Sequence, residues 1–223
     1  MKNSSIFVAA LALSAVNFSV SANQDTSSNT GPFSVTAGLG VAQHTIDSSG
    51  GYEDESGNAT AFSLGLNYEF TPNLSATAAY INYGEARLFS MTQSNYDENI
   101  GNYNLKATLH SKTAGIAAYG TYHSTREVGN WSFGASLGLI SWATELESDV
   151  VVPSLNISEK DIVSDENGVS IYGGVNATYH VTENFDLAIQ GTWFVNDLDV
   201  DLIDNETVDM QHAFYGFTAS YRF

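Results

Sequence analysis

The stretch Ala213-Phe-Tyr-Gly-Phe-Thr-Ala-Ser-Tyr-Arg-Phe223 alternates along its whole length between two kinds of side chain. One set is apolar or aromatic and consists of Ala213, Tyr215, Phe217, Ala219, Tyr221 and Phe223. The residues between them are small or polar, apart from Phe214. Successive side chains of a β-strand point to opposite faces, so this period of two predicts a strand with one face suited to lipid.

The same alternation recurs upstream and is clear between Val169 and Val181. Applied to the whole chain, it predicts an all-β fold of eight strands. Their expected bounds are 33–46, 59–70, 74–84, 104–122, 131–145, 168–181, 185–196 and 211–223. The strand 104–122 changes phase near Ser111 to Ala114, which indicates a bulge or a misplaced boundary.

The connections between these strands alternate in length. Residues 47–58, 85–103, 146–167 and 197–210 form long connections, whereas 71–73, 123–130 and 182–184 are short. A soluble sandwich also has alternating strands, but this order of long and short connections is typical of an up-and-down outer-membrane barrel. We therefore predict an eight-stranded antiparallel transmembrane β-barrel over residues 33–223, with short periplasmic turns and long extracellular loops.

The charge distribution favours the same architecture. The chain has 25 acidic and 7 basic residues and a formal net charge of −18, which makes nucleic acid an unsuitable partner. Of the acidic residues, 20 lie in or beside the four long connections. A charge on the lipid face costs about 2–4 kcal/mol near the bilayer midplane, so a membrane barrel keeps its acids in loops or in the lumen.

The N-terminal residues have the pattern of a secretory signal peptide. A lysine is followed by an apolar run and then by Val20-Ser21-Ala22, so we expect cleavage after Ala22. The alternative is a membrane anchor, but the run is interrupted by Asn17 and Ser19. Residues 23–32 are polar and aperiodic and are expected to form a flexible lead-in. The chain has no cysteine, which excludes disulfides and cysteine-based sites.

Aromatic residues cluster beside the short connections. Amphipathic rings favour headgroup depth, so we predict an aromatic girdle at the periplasmic end. Its members would be Phe33, Tyr68, Phe70, Trp131, Tyr179 and Phe185, next to Tyr221 and Phe223.

Three segments carry a family resemblance. They are Ala61-Phe-Ser-Leu-Gly-Leu-Asn-Tyr-Glu-Phe70 with the following Thr-Pro-Asn-Leu74, Tyr172-Gly-Gly-Val-Asn-Ala-Thr-Tyr179 running through Glu183-Asn-Phe185, and Gly216-Phe-Thr-Ala-Ser-Tyr-Arg-Phe223. They resemble the OmpX/Ail type of small outer-membrane protein and, more distantly, the transmembrane domain of OmpA. The resemblance implies a location in the outer membrane of a Gram-negative bacterium. It implies insertion by the barrel-assembly machinery with Tyr221 and Phe223 as the signal, and lipopolysaccharide as the outer-leaflet neighbour. Members of this group are structural or bind extracellular and host ligands.

An enzymatic barrel would need a serine, a histidine and an acid near the outer leaflet. The nearest match is His123-Ser124, but it lies in a short connection on the periplasmic side, so we predict no catalytic site. The other histidines, His44, His110, His180 and His212, are scattered through strands and are expected to form hydrogen bonds in the lumen.

The acidic segment 197–206 offers a possible cation site. Asp197, Asp199 and Asp201 would share one side of an extended chain, with Asp204 and Glu206 following. Carboxylates suit Ca²⁺, so weak Ca²⁺ binding is an expectation, although a solvated acidic loop is favoured and no cofactor is predicted. Residues Glu69, Lys106, Asp186 and Arg222 face the lumen by parity and should pair there.

Eight strands enclose an interior that side chains can fill, which disfavours a pore. We therefore predict a monomeric, non-enzymatic structural or surface-interaction protein with acidic extracellular loops. The alternatives are a lipid-modifying enzyme, of the lipid A deacylase or acyltransferase kind, and a narrow channel for small solutes.

Overall fold

The computed structural model describes residues 31–47, 55–97, 101–124, 130–200 and 206–223. Eight antiparallel strands account for most of them, together with one short 3₁₀ helix, Pro153–Leu155. The strands are β1 (Phe33–Asp47), β2 (Glu55–Thr71), β3 (Leu74–Asp97), β4 (Gly101–His123), β5 (Trp131–Val152), β6 (Ile157–His180), β7 (Phe185–Val200) and β8 (Glu206–Arg222). The all-β prediction and the number and order of the strands are confirmed.

Each strand pairs with its neighbours in the chain, and β1 also pairs with β8, which closes the barrel. Backbones approach closely at this seam, where Gly40 of β1 faces Gly216 of β8. A Cβ atom on Gly40 would lie 2.6 Å from the Gly216 Cα. Only glycine fits such an approach, so these two residues help the ring to close.

The strands are longer than predicted at one end of the barrel. Residues 85–97 belong to β3 and 146–152 to β5, so the expected loops 85–103 and 146–167 are mostly paired strands. Parts of 47–58 and 197–210 are likewise in β2, β7 and β8. The predicted boundaries failed because both faces of these extensions carry polar residues, which removes the alternation, while the backbone ladder continues without it.

The change of phase predicted within 104–122 is not a bulge in β4, because its register with β5 is continuous from Lys106 to His123. Near Ile116 the apolar residues point out of the barrel, whereas Leu109 lies on the opposite face and packs against the core. The side chains of β4 therefore alternate without interruption, but its apolar residues lie on the outer face near Ile116 and on the inner face near Leu109. The bulges lie instead in β3, at Asn82/Gly84 and Arg87/Phe89.

The described ranges contain no helix that is long and apolar enough to cross a bilayer.

Candidate functional site

A band of exposed apolar side chains surrounds the barrel. It occupies alternate positions on all eight strands and includes Leu39, Val41, Leu64, Leu66, Tyr80, Ile116, Leu137, Leu139, Ile171, Val175, Leu187, Ile189, Tyr215 and Phe217. Leu137 and Phe217 are 69% and 70% exposed. Soluble monomers rarely expose contiguous apolar patches beyond a few hundred Å², so a band of this extent requires lipid.

The protein is an outer-membrane β-barrel. Closure of the ring gives each of the eight described strands a neighbour on both sides, so none of them is an edge strand, as a bilayer requires. The connections at Thr71–Leu74 and His180–Phe185 are short and mark the periplasmic end.

The predicted girdle residues lie together at this periplasmic end, on the outer face. Phe33 contacts Tyr68 with ring centroids 4.9 Å apart, and Trp131 contacts Tyr179 at 5.1 Å. The remaining residues predicted for the girdle or the insertion signal lie at the same height of the barrel, namely Phe70, Phe185, Tyr221 and Phe223. Tyr122 is 65% exposed beside Leu74 and belongs to this set, although the sequence pattern did not single it out. Their action as a girdle at headgroup depth stays a prediction.

The periplasmic half of the lumen holds a polar cavity of about 860 Å³. Its wall consists mainly of Ser, Thr and Asn side chains with a few charged residues. Pro72, Asn73 and Glu183 at the short connections line it, so it opens toward the periplasm.

A chain of polar contacts crosses this cavity and links five strands. Arg222 donates a hydrogen bond to the Glu69 carboxylate and lies 3.6 Å from Asp186 Oδ2. Asp186 Oδ1 is 2.7 Å from His180 Nδ1, and His180 Nε2 is 3.0 Å from Ser132 Oγ. Three of the four predicted lumen charges therefore meet as expected.

The prediction that Lys106 faces the lumen is wrong. Lys106 is exposed on the extracellular part of β4. His110 is also outside the lumen, because its neighbour Ser111 faces the interior while His110 Nδ1 lies 3.3 Å from Glu85 on the outer side. Both residues lie beyond the apolar band, where outward polar groups meet water rather than lipid.

The extracellular half of the lumen is filled by large buried side chains. Tyr83 and Phe194 meet edge to face with ring centroids 5.3 Å apart, and Tyr172 and Phe214 are at most 1% exposed. Aliphatic residues complete this plug, namely Ile140, Leu146, Leu198 and Met210. Polar side chains line the periplasmic half of the lumen, whereas mainly aromatic and aliphatic side chains fill this half, among buried polar ones such as Ser111 and Thr144.

Two histidines are buried in contact within the plug. The rings of His44 and His212 have centroids 4.8 Å apart. His44 is satisfied, with Nδ1 3.0 Å from Ser111 Oγ and Nε2 3.1 Å from the Tyr83 carbonyl oxygen. Neither ring nitrogen of His212 has a hydrogen-bond partner within the described ranges, and its ring stacks on Phe194 at 4.7 Å. The prediction that these histidines form hydrogen bonds in the lumen is therefore confirmed for His44 and not for His212.

Beyond the apolar band, β3 to β6 continue outward as one four-stranded sheet. β3 pairs with β4 as far as Asp97, β4 with β5 as far as Val151, and β5 with β6 as far as Ile157. A tight turn through Pro153–Leu155 and Asn156, which has a φ of 52°, ends the β5–β6 hairpin. The extracellular part of the molecule is therefore a paired sheet over much of the sequence that was predicted as loops.

Charged side chains pair across the outward face of this sheet. Glu147 accepts hydrogen bonds from Lys112 Nζ at 2.7 Å and from Lys160 Nζ at 2.5 Å. Lys112 Nζ also lies 3.5 Å from Glu145 and 3.9 Å from Glu85. The hydrogen bonds from Lys112 and Lys160 lower the pKa of Glu147 to about 2. These pairs cross-link β3, β4, β5 and β6.

The predicted calcium residues do not form one flexible loop. Asp197 and Asp199 continue β7, and Glu206 opens β8 opposite Val200. Asp201 and Asp204 lie outside the described residues. No group of three or more histidines and carboxylates suited to a metal occurs in the described part of the chain, and weak Ca²⁺ binding stays a prediction.

His123 and Ser124 do not face each other as a nucleophile and base would. His123 Nε2 lies 3.3 Å from Ser75 Oγ inside the lumen. Ser124 Oγ accepts a hydrogen bond from the Phe133 amide at 3.0 Å. Each side chain therefore has a structural partner at the periplasmic end, as far from the outer leaflet as the barrel allows.

No protein-family model and no curated protein matches this sequence. Among solved structures, Ail of Yersinia pestis has 16% identity and a TM-score of 0.45, over 86% of this chain and 99% of that one. Neisserial surface protein A has 15% identity and a TM-score of 0.49, over 88% and 100%. OprG of Pseudomonas aeruginosa has 8% identity and a TM-score of 0.40, over 87% and 98%. At these identities the likeness concerns the fold alone.

Proposed function

We propose that this barrel is a non-enzymatic surface-interaction protein whose working part is the extracellular sheet of β3 to β6. The observation that supports the proposal is the continued pairing of four strands beyond the apolar band. A paired sheet keeps its shape, so it presents one fixed surface at the cell exterior, and binding then costs less ordering entropy than with flexible loops.

The lumen argues against the channel alternative. A solute entering the polar cavity from the periplasm meets the plug of Tyr83, Phe194 and Phe214. Protein interiors packed in this way leave few voids larger than water. We therefore propose that the barrel is a scaffold and not a conduit.

We further propose lipopolysaccharide as the neighbour of the outward face and the barrel-assembly machinery as the insertion partner. The outward face just above the apolar band carries Lys112 and Lys160, but Glu85, Glu145 and Glu147 offset their charge. Direct binding of lipid phosphates should therefore be weak without divalent cations.

The test removes the extracellular sheet and keeps the barrel. In the trimmed variant, Ser90–Thr108 and Ser148–Asp161 are each replaced by Asn-Gly, which closes two-residue hairpins after the pairs Phe89/Leu109 and Glu147/Ile162. Bacteria that display the wild type or the trimmed barrel are compared for adhesion to epithelial monolayers and for aggregation of the cells. Both proteins must show heat-modifiable migration, which demonstrates a folded barrel.

We expect the wild type to increase adhesion or aggregation over the empty strain and the trimmed variant to lose that increase. If both proteins behave alike, the sheet is not the working surface. Steady conductance of the purified wild type in planar bilayers would instead favour the channel.

A further inference from the structure

The polar cavity in the periplasmic half of the lumen is a pocket with a mouth at one end and a closed end at the other. Asn73 and Glu183 line it at the periplasmic mouth, and Tyr119 and Tyr172 line its inner end. Beyond these two rings the plug of large buried side chains closes the lumen. The volume of about 860 Å³ lies within the range of small-molecule binding sites. A molecule that enters from the periplasm is therefore held and not passed on.

The side walls of this pocket carry neutral hydrogen-bonding groups. Hydroxyl or amide side chains from all eight strands line it, among them Ser63, Gln190 and Thr218. Each hydroxyl and each amide can both donate and accept a hydrogen bond. Such a wall is complementary to a ligand that carries many hydroxyl groups of its own.

Two amides lie side by side in the wall. Asn176 of β6 and Gln190 of β7 are directly opposite each other in the register, so their side chains share the lumen face. Asn176 Nδ2 donates a hydrogen bond to Thr178 Oγ1 at 3.0 Å, whereas the buried Asn176 Oδ1 has no hydrogen-bond partner within the described residues. A buried acceptor without a donor is unfavourable, so a ligand hydroxyl that donates to this oxygen is stabilised.

Two tyrosine rings form the closed end of the pocket. Tyr119 and Tyr172 have ring centroids 5.1 Å apart and an interplanar angle of 36°. The face of an aromatic ring carries partial negative charge and attracts weakly positive C–H groups. A sugar ring presents C–H groups on its faces and hydroxyl groups around its edge. Aromatic rings at the end of a pocket with hydroxyl and amide walls are therefore complementary to a carbohydrate.

The charged residues of the pocket lie near its mouth and disfavour anions. Glu69, Glu183 and Asp186 line this part together with one arginine, Arg222. Arg222 is already engaged by Glu69 and Asp186. The remaining negative charge, in a chain of net charge −18, repels phosphates and other anionic ligands. The ligand that fits this pocket is therefore neutral.

We propose that the periplasmic half of the lumen binds a short neutral oligosaccharide, which enters from the periplasm. The amides of Asn176 and Gln190 bind its hydroxyl groups, and Tyr119 and Tyr172 pack against one of its sugar rings. The site lies at the opposite end of the barrel from the extracellular sheet, so it goes beyond the surface-interaction function and does not depend on it.

The test titrates the full barrel in nanodiscs with maltose, trehalose and diacetylchitobiose, which are neutral disaccharides. Binding is followed by NMR of ring-labelled tyrosine, because the signals of Tyr119 and Tyr172 report on the closed end of the pocket. We expect these signals to shift saturably with at least one of the disaccharides and to stay unchanged with glucose 6-phosphate. Tyr80, which is 42% exposed on the outer face, is the internal reference and should not shift.

Variants of the pocket wall test the assigned contacts. Asn176→Leu with Gln190→Leu removes both amides, and Ser220→Phe independently narrows the pocket below them. Each variant should weaken sugar binding about tenfold or more. The matched control, Ile189→Val, lies next to Gln190 on the lipid face and should leave binding unchanged. Heat-modifiable migration confirms that each variant is folded.

A single labelled cysteine tests the direction of entry, because the chain has no cysteine of its own. A polyethylene glycol maleimide attached to the variant Glu183→Cys at the mouth should slow or prevent binding. The same label on Glu159→Cys, which is exposed on the extracellular part of β6, should not.

Three results would overturn the inference. The first is the absence of a saturable shift with all of the disaccharides, and the second is unchanged binding by Ser220→Phe. The third is preferential binding of glucose 6-phosphate, which would assign the pocket to anions. The proposed surface-interaction function is tested separately by the trimmed barrel, which keeps this pocket intact and should bind the sugar as the wild type does.

Discussion

Arg222 on β8 donates a hydrogen bond to Glu69 on β2, although β1 lies between these two strands in the ring. The ion pair therefore ties together the strands on both sides of β1, including the seam where the first and last strands meet. Asp186 on β7 lies 3.6 Å from the same guanidinium and extends the link to a further strand. One arginine thus connects three strands around the periplasmic end.

Replacing Arg222 by glutamine should destabilise the barrel by about 1–3 kcal/mol, because two partly buried carboxylates lose their cation. The measurement is the urea midpoint of the refolded barrel in detergent. Lys160→Gln, which removes a more exposed pair, should change stability much less, because water screens exposed charges. The double variant Glu69→Gln/Arg222→Gln should lose less than the two single variants together. Strict additivity would show that the pair does not couple.

Leu137→Arg should destabilise the membrane-inserted barrel by about 2–4 kcal/mol, since Leu137 lies within the apolar band and is 69% exposed. Ile162→Arg is the control, because Ile162 is 59% exposed on the sheet beyond the band and faces water. Reversible folding into lipid vesicles measures both. Equal costs for the two arginines would contradict the location of the band.

Phe194→Ala should destabilise the barrel by about 3–5 kcal/mol and open the plug. The wild type should show no steady conductance in planar bilayers, whereas Phe194→Ala combined with Phe214→Ala should conduct intermittently. Phe217→Ala, on the outer face of the same strand as Phe214, is the control and should stay closed. A conducting wild type would show that Tyr83 and Phe194 do not seal the lumen.

The two buried histidines should respond with opposite signs. His212→Leu removes a ring whose nitrogens lack partners within the described ranges and should stabilise the barrel by about 1 kcal/mol or more. His44→Leu leaves Ser111 Oγ without its histidine partner and should destabilise it by about 1–3 kcal/mol. Thermal unfolding of both variants gives the comparison. Equal shifts would contradict the different bonding of the two rings.

Glu147 makes the extracellular sheet sensitive to acid. Its folded-state pKa of about 2 lies below that of an unpaired glutamate. The pair therefore stabilises the sheet fully above the unpaired pKa, and that contribution is lost as the pH falls toward 2. Carboxyl NMR of the labelled residue should show this titration, and hydrogen exchange near Lys160 should rise over the same range. In Glu147→Gln the acid-dependent part should disappear. A titration near the ordinary glutamate pKa would contradict the contacts with Lys112 and Lys160.

Much of the candidate site could be predicted where the alternation within a single strand was sufficient. The alternation around Phe217 distinguished the lipid face from the lumen face, and parity placed Glu69, Asp186 and Arg222 inside. The prediction failed for Lys106 and His110, because it assumed that a polar residue of a strand faces the lumen. Both lie on the outward face beyond the apolar band, where a polar side chain meets water.

The plug was missed for a related reason. Tyr83 and Phe194 lie in strands far apart in the chain, so no single strand shows that their rings meet. Phe214 was the one exception to a polar lumen face noted from the sequence. The plug could have been found by comparing all strands for large apolar residues on the lumen face at the same height of the barrel.

The amino-acid sequence by itself determined the strand order, the lipid-facing set and the periplasmic end with its aromatic residues, since alternation and turn length depend on neighbours along the chain. Only the tertiary structure decided how far the strands extend and which charges meet. Beyond the membrane both faces of a strand meet water, so alternation no longer reports pairing. Contacts such as Arg222 with Glu69 depend on closure of the ring and on the register of β1 between them.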